Sequence, residues 1–401
     1  MKYVIVLGDG MADYPLAQLN QRTPLQAAKK PNIDFLARNG EVGLVQTIPE
    51  GIAPGSDVAN LSVMGYNPKK YYTGRSPLEA VSMGIELSDT DVALRCNLVT
   101  LSAAEKDEER VMIDYSSDEI TTEESGQLIA ALQRRLGREP FTFYAGISYR
   151  HCLLWANGPL GLNLTPPHDI SGKKIGEYLP QGPFGPVLRD LMKGSREILR
   201  DHPVNQKRVA RGLRPANSIW LWGEGKKPLL SSFYDKYHVR GTVVSAVDLI
   251  KGIGLCAGLR SVEVEGATGN IHTNFLGKAK AVLSELEAGQ DFVYLHIEAP
   301  DECGHRDELE NKIRSIELID EMVVATLLEG LEKYQDYRLL LLPDHPTPLA
   351  LRTHTSDPVP FILYQKGRPL DSGVSGYDEF EAKKTGRCIS EGHKLMDYFM
   401  G

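Results

Sequence analysis

Tyr3-Val-Ile-Val-Leu-Gly-Asp-Gly10 decides the fold class. The five residues from Tyr3 to Leu7 are apolar and rich in β-branched side chains, and Gly8-Asp9-Gly10 stops them abruptly. A short continuous apolar run of this kind predicts a parallel strand buried on both faces, with Asp9 presented at its carboxyl end. Working outward, residues 25–38 carry helical periodicity and stop at Gly40, a residue suited to a helix C-terminus. Residues 42–47 predict a second strand. The loop 49–55 follows, and Ser56-Asp57 predicts the N-cap of a helix reaching about residue 64. Strand, helix, strand, loop, helix is the grammar of a βαβ unit, so the class is α/β.

The same grammar resumes near residue 217. Residues 218–222, 242–246, 261–264, 291–297, 337–342 and 361–364 predict strands, with helices at 247–256, 274–288, 309–334 and 391–400. The middle reads differently: a helix near 123–136, two adjacent strands at 141–147 and 152–155, then a Pro/Gly-rich stretch from 159 to 186. At 401 residues the chain exceeds one ordinary core. The expected organisation is a discontinuous α/β core of residues 1–75 and 217–401, its mostly parallel sheet flanked by helices. An inserted α+β domain of residues 76–216 interrupts it.

A net charge of −8 argues against a general nucleic-acid surface. The five cysteines are scattered without paired spacing, which predicts neither a disulfide framework nor a zinc–cysteine site. The apolar run near residue 5 is too short for a signal peptide, and no stretch approaches the ~20 apolar residues of a membrane span. The expected compartment is the cytoplasm, with no nucleic-acid or membrane partner. The sequence leaves the oligomeric state open.

Metal-binding side chains recur where strands end. Asp9 follows the first strand. Asp301 and His305 follow the strand at 291–297, Asp344 and His345 follow the strand at 337–342, and His354 comes shortly after. Open α/β sheets gather ligands at the carboxyl edge of their strands, so these six are expected to converge. Three carboxylates and three imidazoles form a mixed oxygen and nitrogen set for Mn²⁺, Zn²⁺, Co²⁺ or Mg²⁺, the imidazoles favouring the transition metals. Ser56 sits at a glycine-opened helix N-terminus, where free N–H groups favour a phosphate. A serine hydroxyl is a weak nucleophile by itself, and metal coordination activates it. Two ions about 4 Å apart would suit in-line phosphoryl transfer to it.

Five segments carry a resemblance: Gly8-Asp-Gly-Met11, Gly55-Ser-Asp-Val-Ala-Asn-Leu-Ser62, Tyr72-Thr-Gly-Arg-Ser-Pro-Leu-Glu79, Glu298-Ala-Pro-Asp-Glu-Cys-Gly-His305 and Pro343-Asp-His-Pro-Thr-Pro348. In order and spacing they resemble the archaeal-type, cofactor-independent phosphoglycerate mutases of the alkaline phosphatase superfamily. The resemblance implies an alkaline-phosphatase-like core with two divalent metal ions, Mn²⁺ foremost. One ion would be held by Asp9, Ser56, Asp344 and His345, the other by Asp301, His305 and His354. Ser56 would form a phosphoserine intermediate, and the inserted domain would close over the substrate.

A small phosphorylated carboxylic acid needs cations and donors. The candidates are Arg75, Arg150, His151, His168 with Asp169, and Lys226, each of which could equally be an ordinary surface group. A homoserine kinase-like phosphotransferase or a phosphatase on the same core is the alternative, and the metal set and Ser56 do not discriminate among the three. The absence of a GxxxxGK[ST] loop counts against a kinase of the P-loop kind.

Overall fold

Strand β1, Lys2–Gly8, lies at the centre of an eight-stranded sheet, and Val4 to Leu7 are fully buried. The computed structural model describes residues 1–368 and 370–401. The chain divides into two units, one made of Met1–Tyr72 with Leu229–Gly401 and the other of Thr73–Pro228. After β1 and β2 (Glu41–Val45) it runs through the second unit, which holds β3 (Val92–Leu101), β4 (Met112–Asp114), β5 (Phe141–Tyr144), β6 (Arg150–Trp155) and β7 (Ser218–Lys226). It then returns with β8 (Gly241–Val244), β9 (Arg260–Val262), β10 (Phe292–Ile297), β11 (Tyr337–Leu342), β12 (Val359–Gln365) and β13 (Cys388–Ile389).

In the first unit the strand order is β13-β2-β12-β11-β1-β10-β8-β9. β1 pairs in parallel with both β10 and β11, aligning Gly8 with Ile297 and Leu7 with Leu342. β12 runs antiparallel to β11 and β2, so its entry at Val359 lies at the edge where those strands end. The segments after β1, β2, β10 and β11, and the one before β12, therefore all meet at one edge. Val4, Val6, Leu295 and Leu339 pack with Phe275, Val282, Ile316 and Leu327 of the covering helices.

Two helices depart from expectation. The helix expected at 25–38 is two, Pro24–Ala27 and Pro31–Asn39, because Pro31 has no N–H to continue a helix and disfavours helical geometry at Lys30. The helix expected at 309–334 passes through a π turn at Ile319–Val324, where the Asp320 carboxylate accepts from the Ile33 amide (2.7 Å) and Asn32 Nδ2 (2.8 Å).

The second unit is built on an antiparallel sheet in which β3 pairs with β4, β6 and β7, and β6 with β5. Its helices Thr122–Leu136 and Gly185–Leu199 pack a separate core around Leu94, Leu98, Leu128, Leu132, Leu188 and Leu199. Residues 218–222, expected in the discontinuous core, belong here instead. β7 hydrogen-bonds along β3 from Ser218 opposite Val99 to Lys226 opposite Val92, which keeps the chain in this unit as far as Pro228. Among the described residues no helix is long and apolar enough to cross a membrane.

Candidate metal centre and nucleophile

β1 delivers Asp9 by ending in a turn that only glycine makes comfortably. Gly10 has φ of +65°, and a Cβ there would stand 2.7 Å from Asp301 Cα and from Thr347 Oγ1. The Gly10 amide donates to Asp344 Oδ1 (3.2 Å), as does the His345 amide (2.9 Å). β2 feeds the loop that ends at Gly55, the extended N-cap of the helix Ser56–Val63. Ser56 is thus the first helical residue, one place later than a capping role would put it. Asn60, one turn on, donates to the Ser56 carbonyl (2.8 Å) and to Asp344 Oδ2 (2.9 Å), and accepts from the Tyr294 hydroxyl (2.6 Å).

Two groups of ligand-type side chains result: Asp9, Asp344 and His345, all buried, and Asp301, His305 and His354, of which the histidines are partly exposed. Around His345 Nε2 stand Ser56 Oγ at 3.2 Å, Asp344 Oδ2 at 3.4 Å and Asp9 Oδ1 at 3.7 Å. In the second group the His305 and His354 Nε2 atoms are 2.9 Å apart, and Asp301 lies 3.3 Å from the first and 3.4 Å from the second. The His345 and His354 rings, one from each group, sit 4.0 Å apart centroid to centroid.

These separations test the fit to a metal. Tetrahedral donors at bonds of about 2.0–2.2 Å stand about 3.3–3.6 Å from one another; the separations here run from 2.9 to 3.7 Å and so bracket that range. Asp9 Oδ1 is buried without a hydrogen-bond partner among the described residues, a position a cation would satisfy. Burial, with Asp344 and Asp301 nearby, pushes the Asp9 carboxyl well above its usual range, whereas a bound cation would favour the ionised form. Burial works on Asp301 in the same sense, but hydrogen bonds from His305 and His354 outweigh it and hold that carboxyl well below. Asp301 in turn lifts His305 to about 9. Burial lowers His345 despite the nearby Asp344 and so favours the neutral imidazole, a form with a single ring lone pair. The residues fit two divalent ions.

Several supporting residues carried no signal as isolated letters. His296, inside the apolar run of β10, donates or accepts between Asp9 Oδ2 (2.9 Å) and Ser245 Oγ (3.2 Å), and burial lowers it to about 3. Lys312 and Asp13 form a fully buried ion pair of 2.7 Å beside the ligand loops. The lysine also donates to the Thr347 carbonyl (2.8 Å). A charged or imidazole side chain in an otherwise apolar strand or helix face is the hint each offered.

The proposed substrate residues all lie in the second unit. Arg150 is exposed, its guanidinium 5.4 Å from the Tyr149 ring. His151, opposite Cys96, is buried; its Nδ1 accepts from the Gly146 amide (3.0 Å) and burial lowers it to about 3. It supplies no cation, because alternation along β6 turns it to the face opposite that of Arg150. His168 is half exposed, edge-on to Trp222 at 5.4 Å and 3.6 Å from Asp169. Arg75 pairs with Glu79 (2.9 Å). Lys226 faces Val92, whereas Arg150 faces Asn97, so five residues of β3, roughly 16 Å, separate them. Arg95 was not singled out from the sequence. It also binds Glu79, and its guanidinium lies 4.6 Å over the Trp222 ring, beside His168.

A probable 2,3-bisphosphoglycerate-independent phosphoglycerate mutase of Geobacter sulfurreducens is 52% identical, across the full length of both chains. The chain belongs to the 2,3-bisphosphoglycerate-independent phosphoglycerate mutase family. The mutase of Methanothrix thermoacetophila is 50% identical over 99% of this chain and 98% of its own. The sequence model described as 2,3-bisphosphoglycerate-independent phosphoglycerate mutase matches residues 37–205. Among solved structures, a Pyrococcus horikoshii protein superimposes with a TM-score of 0.83 at 30% identity, covering all of this chain and 96% of that one. The cofactor-independent phosphoglycerate mutase of Thermoplasma acidophilum does so with a TM-score of 0.66 at 27% identity, covering all of this chain and 99% of that one.

Proposed function

We propose that this family member interconverts 3-phosphoglycerate and 2-phosphoglycerate without 2,3-bisphosphoglycerate, through a phosphoserine on Ser56 beside two divalent ions, Mn²⁺ foremost. One observation carries the reading. The Ser56 hydroxyl stands at a helix N-terminus, 3.2 Å from Nε2 of His345, a member of one of the two groups of ligand-type side chains. Bound divalent ions would lower the hydroxyl's pKa and neutralise charge on the transferring phosphoryl group.

Ser56 Oγ forms the bond to phosphorus as the bond to the glycerate C3 oxygen breaks, and the proton released by the serine ends on that oxygen. The C2 hydroxyl then attacks the phosphoserine, returning the serine hydroxyl and leaving 2-phosphoglycerate. The amides of Ser56 and Asp57 at the start of the helix Ser56–Val63 would favour the phosphate oxygens, the Val58 amide being taken by Asp57 Oδ1 (2.9 Å). Asn60 holds the start of that helix against Asp344, so nucleophile and ligands share one frame. Retaining glycerate requires exclusion of water, since water at the phosphoserine would give a phosphatase. We assign that role to the second unit, with Arg75, Arg95, Arg150, His168, Asp169 and Lys226 as candidate carboxylate and phosphate contacts. We assign the cytoplasm as the compartment, because the substrate is a glycolytic acid. The kinase and phosphatase readings draw no support from the two relatives above, both named as mutases.

A coupled enolase assay tests this on Mn²⁺-loaded protein given 3-phosphoglycerate and no bisphosphoglycerate, with Ser56→Ala beside it. The expected result is 2-phosphoglycerate from the wild type and background from the variant. Metal-loaded wild type that forms none would refute the mutase reading.

A further inference from the structure

Thr347 is fully buried and touches a ligand of each group. Its hydroxyl donates to Asp301 Oδ1, and the same oxygen lies 3.3 Å from His345 Nδ1. The side chain is boxed in on two sides. A Cβ on Gly10 would meet its Oγ1 at 2.7 Å, and a Cβ on Gly304 would meet its Cγ2 at 2.8 Å and its carbonyl oxygen at 2.5 Å. Its backbone is tied as well: the amide donates to the Ala12 carbonyl (3.2 Å), and the carbonyl accepts from Lys312 Nζ (2.8 Å). The hydroxyl is therefore held in one place.

Its single proton decides the chemistry next door. An ionised carboxylate only accepts hydrogen bonds, so the hydroxyl proton goes to Asp301. The threonine oxygen is then left as an acceptor, and the group facing it, His345 Nδ1, must carry the imidazole proton. A neutral imidazole has one N–H and one lone pair, which leaves Nε2 bare. Nε2 is the atom that faces Ser56 Oγ, Asp344 Oδ2 and Asp9 Oδ1.

We propose that Thr347 is a positioning residue that fixes His345 in the tautomer protonated on Nδ1, so that its Nε2 lone pair is preset toward the Ser56 side of the site. The same hydroxyl orients Asp301, so one side chain sets a ligand in each group. The purpose of the preset lone pair rests on the two-ion reading. The tautomer itself needs neither metal nor substrate to be observed, so the two claims fail separately.

The test is ¹⁵N spectroscopy of histidine-labelled, metal-free, full-length protein at pH 8, with His345→Gln to assign the signal, followed by calorimetric titration with Mn²⁺. The expected wild-type signal is an imidazole with Nδ1 protonated and Nε2 bare. Thr347→Val, close in shape but without the hydroxyl, should lose that preference and bind Mn²⁺ about 10–100-fold more weakly. Thr347→Ser should restore both. A wild-type His345 protonated on Nε2 would overturn the proposal, as would a Thr347→Val protein that keeps the tautomer and the wild-type affinity.

Discussion

Replacing Lys312 with methionine keeps the length of the side chain and removes its charge. Nζ is fully buried and lies 2.7 Å from the equally buried Asp13 Oδ2. The change therefore strands a carboxylate in the interior and deprives the Thr347 carbonyl of its donor. Breaking a buried pair by removing one partner costs about 3–5 kcal/mol. Asp13 keeps hydrogen bonds from the Tyr14 amide (2.7 Å) and the Leu349 amide (3.2 Å), which places the loss at the low end, about 3 kcal/mol. At about 2–4 °C per kcal/mol for a unit of this size, the first unit should melt roughly 6–12 °C lower. Scanning calorimetry in EDTA reads this without a contribution from bound metal. Asp13→Asn added to Lys312→Met should recover part of the loss, because the two residues touch and their effects do not add. A Lys312→Met protein melting within about 2 °C of wild type would show that the pair does not hold these loops.

Three further outcomes follow from the same geometry. Asn60→Ala removes the link between the Ser56 carbonyl and Asp344 Oδ2, and should weaken Mn²⁺ binding about 10–100-fold; unchanged calorimetric affinity would contradict it. Gly10→Ala sets a Cβ against Asp301 and Thr347 at a left-handed backbone position, costing about 1–2 kcal/mol in conformation alone. Its Mn²⁺ stoichiometry should fall below that of the wild type, and an unaltered stoichiometry would argue against the close approach. His305, raised to about 9 chiefly by its hydrogen bond to Asp301, must release its proton before Nε2 can bind an ion. Mn²⁺ affinity should therefore climb by up to tenfold per pH unit and level off near pH 9, whereas a flat profile from pH 6 to 9 would refute the assignment.

The edge that assembles the site was legible because β1 and β11 are short apolar runs stopped at once by Gly8 and Pro343, and the side chains just past those stops lie together. Strand membership was not legible. An isolated, mostly apolar run such as Ser218–Trp222 looks the same whichever sheet it joins, and only its pairing with β3 decides. β3 itself was hidden by Arg95 and Asn97, polar residues in mid-strand whose partners, Glu79 and Trp222, are distant in sequence. His296, Lys312 and Thr347 escaped for a related reason. Their meaning lies in contacts of 2.7–3.3 Å with residues far along the chain, and composition or periodicity carries no trace of those.

The central place of β1 has a consequence for synthesis. Its neighbours, β10 and β11, begin at Phe292 and Tyr337, so at about 5–20 residues per second the ribosome makes the first strand roughly 15–60 s before the nearer of them. The second unit is continuous from Thr73 to Pro228 and is completed within that interval. A nascent chain arrested between residues 228 and 291 would carry a finished second unit while β1 still lacked both of its neighbours, an apolar strand with two open edges. Slow translation anywhere between the end of β1 and Phe292 should therefore prolong the time for which the first strand made has both edges open.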